Sequence, residues 1–298
     1  MATAPALGFV GLGVMGEPIC RNILKANPGP TTVFDLNPDP VARLAADGAK
    51  VADDLAQVAA AADIIFLSLP GGPEVEATVL GPGGLLAHGR AGQTVVDLST
   101  CPVATARRVA ERLAEKGIDF ADAPVARTRQ AAIDGTLSIM VGGDDTTFAR
   151  LRPLLAAAAT DITHCGGVGT GQVVKLVNNM ILFQVVVAVA EGLTIGERAG
   201  VDRQLLAETL AKGSGDSFAL RNHGMKAMVP RTFPVGAFAT DYAIKDVTYA
   251  LELAAQCGVQ AYGAALAKAI LERTSAAGFG REYFPVLQRI VEGDGPDT

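Results

Sequence analysis

The first half of the chain alternates continuous apolar runs with amphipathic ones. "ALGFVGLG", "TTVFDLN", "DIIFLSLP", "QTVVDLST", "DFADAPV" and "LSIMVGG" are short and rich in strand-forming residues. Between them, stretches such as "PVARLAADGA" and "PVATARRVAERLAEKG" repeat apolar positions at helical spacing. Apolar strands without polar alternation are buried on both faces, and strands linked by helical crossovers make a parallel sheet. From Gly171 onward the pattern is helical almost throughout, broken at "GSGDS", "VPRTFP", "CGVQAYG" and "AAGFGRE". The pattern predicts an α/β domain over residues 1–165 and an all-helical domain over 166–298, meeting near "HCGGVGTG". The terminal "GDGPDT" reads as a frayed end.

Composition narrows the function classes. With 298 residues, 49% of them hydrophobic and 19% charged, the chain can bury a substantial core. A formal net charge of -6 supplies no broad basic face for nucleic acid or an anionic membrane, so any positive site is local. The longest apolar stretch, "MILFQVVVAVA" from Met180 to Ala190, is shorter than the roughly 20 residues that cross a bilayer, and no membrane span is expected. Cys20, Cys101, Cys165 and Cys257 lack the spacing of a thiolate pair, and the opening "MATAPALGFVGLG" lacks a charged leader region. These features predict a reduced, cytoplasmic protein with its thiols in the core. His88, His164 and His223 are too dispersed for a metal cluster, so no metal is assigned.

The first chemical motif is "GFVGLGVMGEPICRNILKA", in which Gly11, Gly13 and Gly16 take G-x-G-x-x-G spacing, with Val14 and Met15 in the turn. Between a strand and a helix, such glycines allow a tight turn, close approach of a pyrophosphate and packing of helix on strand. Asp35 follows the next expected strand about 20 residues beyond the last glycine, where a carboxylate accepts both ribose hydroxyls of a dinucleotide. It would repel a 2′-phosphate, and no arginine directly follows it, which favours NAD over NADP. The alternative is a glycine-rich turn followed by a helix-capping aspartate.

The second motif is "GGVGTGQVVKLVNNMILFQVVVAVAEG", a glycine-rich entry into a helix that is apolar on nearly every face. Lys175, Asn178 and Asn179 fall at i, i+3 and i+4, on one side of that helix. Polar groups on a buried helix need partners. A desolvated lysine has a lowered pKa and exchanges protons more easily near neutral pH, so Lys175 is a candidate general acid and base. Equally, the lysine could reach solvent along its stem while the asparagines satisfy backbone groups.

"GFVGLGVMGEPICRNIL", "DLST", "DAPV" with "DGTLSIMVGG", "GVGTGQVVKLVNN" and "DYAIKD" occur in the order and approximate spacing of one family. From about Leu7 to Val291 the chain resembles the β-hydroxyacid dehydrogenases, typified by 3-hydroxyisobutyrate dehydrogenase. The resemblance implies a Rossmann-type, doubly wound, mostly parallel sheet joined by a long helix to a helical domain, with the active site in the cleft between them. It implies that Lys175 is the catalytic lysine, that Asn179 holds the substrate beside it, and that Asn178 occupies a neighbouring substrate position. Lys245 would lie near the nicotinamide end of the cofactor, and Leu69, Pro70 and Thr100 would be cofactor-contacting loop residues. Ser217 and Phe218 match a region that closes over the substrate, although a helix break with a packed phenylalanine fits them equally.

One stretch departs from the family pattern. Most members carry serine-glycine-glycine after the "D-x-P-V" element as a substrate carboxylate receptor; here Ala126, Arg127 and Thr128 stand instead, within "APVARTRQAA". A guanidinium at the second position could replace that receptor with planar, bidentate hydrogen bonds to carboxylate, sulfonate or phosphate. The Arg-Thr pair resembles the sulfolactaldehyde reductase branch, but Arg129 stands where that branch has serine. Arg127 and Thr128 are therefore expected substrate contacts, and the role of Arg129 is open.

The sequence thus predicts an NAD-dependent oxidoreductase moving a hydride between nicotinamide and a small anionic aldehyde or β-hydroxy acid. The all-round apolar helix suggests a homodimer or homotetramer. Two rival readings are an imine reductase of the same architecture, whose members usually lack the lysine, and a non-catalytic nucleotide-binding module, against which the retained Lys175 argues.

Overall fold

The computed structural model describes residues 4–293, so all but the first residue of the tail expected to fray lies outside the described span. Two compact units divide the chain, Met1–Lys175 and Leu176–Thr298. The division falls inside a long helix, later than the boundary expected at 165.

The first unit runs β1 (Leu7–Val10), α1 (Gly16–Ala26), β2 (Thr31–Phe34), α2 (Pro38–Ala46), β3 (Lys50–Val51), α3 (Leu55–Ala61), β4 (Ile64–Leu67), α4 (Gly72–Leu80), α5 (Leu85–His88), β5 (Thr94–Asp97), α6 (Val103–Ala114), β6 (Asp119–Asp122), β7 (Val125–Ala126), α7 (Arg129–Asp134), β8 (Leu137–Gly142), α8 (Asp145–Leu155) and β9 (Ala159–Gly166). The strands lie in the order β3-β2-β1-β4-β5-β6-β8-β7, with β9 on β8. Pairs from β3 to β6 are parallel, β8 is antiparallel to β6 and β7, and β9 is parallel to β8. The mostly parallel, doubly wound sheet is therefore present, in the strand order of dinucleotide-binding folds. All six expected strands form. Those not expected are β3 and β7, too short to carry a period, and β9, whose "TDITH" centre is largely solvent-facing.

The unbroken apolar runs follow from burial on both faces. Leu7, Phe9, Ile64 and Phe66 pack with Ile19 and Ile23 of α1, while Val10, Ile65 and Leu67 pack with Val58, Val75 and Val79 of α3 and α4. Local signals fix the crossovers: Asn37, Asp54 and Asp144 cap α2, α3 and α8 by accepting N–H bonds from Asp39, Gln57 and Thr147.

The connecting helix α9 (Thr170–Arg198) is followed by α10 (Arg203–Leu210), a π-wound segment (Leu220–Met228), α11 (Thr240–Gln256), α12 (Tyr262–Thr274), a 3₁₀ turn (Phe284–Leu287) and α13 (Gln288–Glu292). Phe183, Val186, Ala190 and Leu193 of α9 pack with Val247, Leu271, Phe284 and Leu287 in the second unit's core. The length premise of one expectation does not hold, and a second expectation is corrected. By length and apolarity α9, at 29 residues, is sufficient to cross a membrane, because the apolar pattern continues beyond Met180–Ala190; 39% of its most apolar window is buried within the chain itself. Cys20 and Cys101 are core thiols, but Cys257 is exposed just past α11.

Asp97 and Asp122 are buried in register at the ends of β5 and β6. Asp97 accepts bonds from the Ser99 amide at 2.9 Å and the Cys101 thiol at 3.5 Å. Burial, with a smaller contribution from Asp122, pushes its carboxyl up to about 6. A group that ionises near 3.8 when unfolded and near 6 when folded costs the fold nothing below the first value and its full amount above the second. Asp97→Asn should therefore gain thermal stability relative to the parent as pH rises from about 4 to about 6, with no further gain above that. A difference in Tm that stays constant across that window, measured by calorimetry, would rule out charge burial as its source.

Candidate active site

At the carboxyl ends of β1, β2, β4 and β5 the first unit brings together the residues expected to hold a dinucleotide. Gly11 has φ +88°, and a Cβ there would strike the Ser68 carbonyl oxygen after β4; a Cβ on Gly16 would strike the Gly11 carbonyl. These two glycines permit the turn and the packing of α1. Gly13 differs, since a Cβ there would meet nothing within 4 Å, and Gly13 and Val14 are exposed while Met15 is half-buried. The cradle is open where a pyrophosphate would approach, and α1 begins without a side-chain cap on its amides. The Asp35 carboxylate is oriented by the Leu12 and Asn37 amides, tying the loop after β2 to the glycine turn. Leu69 donates its amide to Ser99 Oγ at 2.9 Å, tying the loops after β4 and β5, where Pro70 and Thr100 also lie.

Lys175 is 9% exposed and sits in α9 just beyond residues bonded into the same row of loops. The Gln172 side chain accepts from the Cys101 amide at 3.1 Å and donates to the Ser99 carbonyl at 2.8 Å. Asp122, at the end of β6, accepts from the amides of Gly169 and Gln172 at 2.6 and 2.8 Å. These bonds explain why the first turns of α9 belong to the first unit. Burial pushes the Asp122 carboxyl up to about 6, against the lowering effect of those amides.

In the second unit, Asn179 is 2% exposed and donates through Nδ2 to Asp246 at 2.7 Å. Asn178, which is exposed, donates to Asn179 Oδ1 at 3.1 Å. Lys245 places its ammonium 3.2 Å from the other Asp246 oxygen, and 5.6 and 5.5 Å from the ring centres of Tyr242 and Tyr249. Asp246 thus stands between Lys245 and Asn179 and sets the orientation of the asparagine. Sequence reasoning passed over it, because an aspartate beside a lysine gives no sign of a partner 67 residues earlier.

Arg127 and Thr128 lie elsewhere in the first unit. Arg127 adopts φ +87°, the left-handed conformation that favours glycine. Its guanidinium donates to the Thr136 carbonyl at 2.6 Å, Thr160 Oγ1 at 2.9 Å and the Asp161 carboxylate at 2.6 Å. The Thr128 hydroxyl caps α7 by accepting from the Ala131 amide, and Arg129 is exposed in its first turn. Ser217 accepts from the Leu220 amide at 3.0 Å, whereas Phe218 is 56% exposed and so is not the packed ring of the structural alternative. The Tyr283 hydroxyl, just ahead of the 3₁₀ turn, meets His223 Nδ1 at 2.5 Å; burial drives that imidazole down to about 4 and keeps it neutral. Among the described residues no group of three or more His, Cys, Asp or Glu is placed to hold a metal ion.

Residues 6–167 match the family model of the NAD binding domain of 6-phosphogluconate dehydrogenase, and residues 169–286 that of NAD-binding of NADP-dependent 3-hydroxyisobutyrate dehydrogenase. The chain is 39% identical over 287 residues to 2-(hydroxymethyl)glutarate dehydrogenase of Eubacterium barkeri, covering 96% of this chain and 94% of that one. It is similar to the solved structure of Mycobacterium tuberculosis 3-hydroxyisobutyrate dehydrogenase with L-serine, at TM-score 0.86 and 30% identity over 97% of this chain and 99% of that one. An imine reductase from Pseudomonas sp. matches at TM-score 0.62 and 19% identity over 95% and 98% of the two chains, a likeness of fold alone. Two domain models in series and a relative matched nearly end to end show that the chain belongs to the β-hydroxyacid dehydrogenase family, the oxidoreductases of CH–OH groups that include 3-hydroxyisobutyrate dehydrogenase.

Proposed function

We propose that this chain transfers a hydride between NAD(H) and the carbonyl or hydroxyl carbon of a small anionic aldehyde or hydroxy acid, with Lys175 exchanging the proton. The observation that carries the proposal is Lys175 itself, nearly buried and held one turn beyond the residues that bond α9 to the strand-end loops. In the reducing direction hydride adds to the carbonyl carbon, the C=O π pair moves onto oxygen, and the ammonium gives that oxygen its proton. In oxidation the amine takes the proton back. Bound nicotinamide would supply or accept the hydride; Gly11, Gly13, Val14, Met15 and Gly16 would hold the pyrophosphate, with Leu69, Pro70 and Thr100 beside them. Asp35 would accept from the ribose hydroxyls, which supports NAD over NADP. Asn179 and Asn178 would hold the substrate, and Lys245 would face the nicotinamide end. Exposed Val174, Val177, Ile181 and Ile195 on α9 support a homodimer or homotetramer.

Arg127 enters the proposal as an anion anchor that must exchange the Asp161 carboxylate for the substrate's carboxylate or sulfonate. Thr128 would contribute through its capped turn. Charge-assisted hydrogen bonds of this kind contribute roughly 1.5 to 3 kcal/mol each.

Three measurements test these roles. Lys175→Ala should lower kcat by about 10² to 10⁴, and near-normal turnover with a panel of semialdehydes would sink the acid–base assignment. Gly13→Ala should fold with an unchanged Tm yet weaken NADH binding by about tenfold, as read by fluorescence titration, whereas Gly16→Ala should lose stability outright; equal behaviour of the two would contradict the cradle. Arg127→Ala should raise KM for an anionic aldehyde by about tenfold, and Asp161→Ala should lower it by releasing the guanidinium. If neither variant shifts KM for carboxylate or sulfonate substrates, Arg127 is a strut of the β8–β9 edge only.

A further inference from the structure

We infer that Asp122 is the positioning residue for Lys175, its buried carboxylate fixing the helical turn from which the lysine projects; this rests on the reading of Lys175 as the proton-exchanging group. The amides at the start of a helix have no intrahelical acceptors, and a cap ordinarily comes from the residue just ahead of them. Here the acceptor comes from β6, 47 and 50 residues earlier in the chain. Each oxygen has its own donor: Oδ1 takes the Gly169 amide at 2.6 Å and Oδ2 takes the Gln172 amide at 2.8 Å. Two bonds to successive parts of one turn set both its height and its rotation about the axis.

The surroundings are shaped to the carboxylate. A Cβ on Gly142 would lie 2.5 Å from Asp122 Oδ1, and a Cβ on Gly171 would lie 2.8 Å from Oδ2. Asp122 is fully buried, and so is Gln172, which ties the same turn to Ser99 and Cys101. Lys175 follows Gln172 by three residues, about 4.5 Å along the axis at 1.5 Å per residue. A rotation of the first turn therefore carries Lys175 with it, and a misplacement of about 1 Å in a catalytic group can cost about 10²-fold in rate.

Asp122→Asn separates positioning from bulk stability, because its amide has one acceptor oxygen and must turn an NH₂ toward the second helix amide. The expected result is a kcat lowered by about 10- to 100-fold, KM for the dinucleotide within about twofold of the parent, and a larger primary isotope effect with NADH deuterated at C4. Hydrogen exchange should quicken at residues 169–176 while β1 and β4 stay protected. Gln172→Met, which cuts the other tie, should show a smaller change of the same kind. Parent-like kcat and isotope effect per folded molecule in Asp122→Asn would overturn the inference, even with a lowered Tm. Should that variant not fold, Gly142→Ala, whose Cβ would lie 2.5 Å from Asp122 Oδ1 and displace it, takes its place, and unaltered kcat and exchange there would overturn the inference. If Lys175→Ala retains turnover, the proposed function fails, while exchange at residues 169–176 still reports whether the clamp exists.

Discussion

The fold turns on one side chain with two acceptors. Asp122 takes one main-chain N–H on each oxygen and so joins the sheet to the start of α9. That junction ends a row of neighbouring loops, each fastened to the next: Asp35 to Leu12, Gly11 against Ser68, Leu69 to Ser99, and Ser99 with Cys101 to Gln172. Parallel strands place all their following loops at one end of the sheet. The side-chain bonds turn adjacency into a common frame, and Lys175 is the first charged group of α9 to emerge from it.

What the sequence made legible was local. The glycine turn, Asp35 and the i, i+3, i+4 set of Lys175, Asn178 and Asn179 are short-range patterns whose physical meaning is contained in a few residues. The strands were readable for the same reason, since burial on both sides leaves an apolar run that needs no partner to be recognised. Asp122, Gln172 and Asp246 were not singled out, because each acquires its role from a group 47 to 73 residues away. Thr128 shows the opposite case, a residue chosen by resemblance whose hydroxyl is occupied in starting α7. Cys257 is expected in the core from residue type, as is Phe218 in one of its two readings, and tertiary packing leaves both exposed.

Charge inside the second unit is handled by pairing. Arg203 is nearly buried, yet it meets Glu197, Glu292 and the Met228 carbonyl, and Arg231 binds Glu292 from the other side at 2.6 Å. Arg203 and Glu292 are the buried members, and removing either would leave the other's charge in a poorly solvated place, whereas Glu197 and Arg231 reach solvent. Asp246, between Lys245 and Asn179, follows the same rule in a smaller set.

The main chain at Arg127 keeps the left-handed shape suited to glycine, while the side chain is drawn off along the sheet edge to Asp161, Thr160 and Thr136. Loop geometry and side-chain chemistry are thereby uncoupled at this position. Such an arrangement holds the guanidinium by its acceptors rather than by its own backbone, so the acidic residue on β9 decides where the charge of Arg127 lies as much as the loop that carries it does.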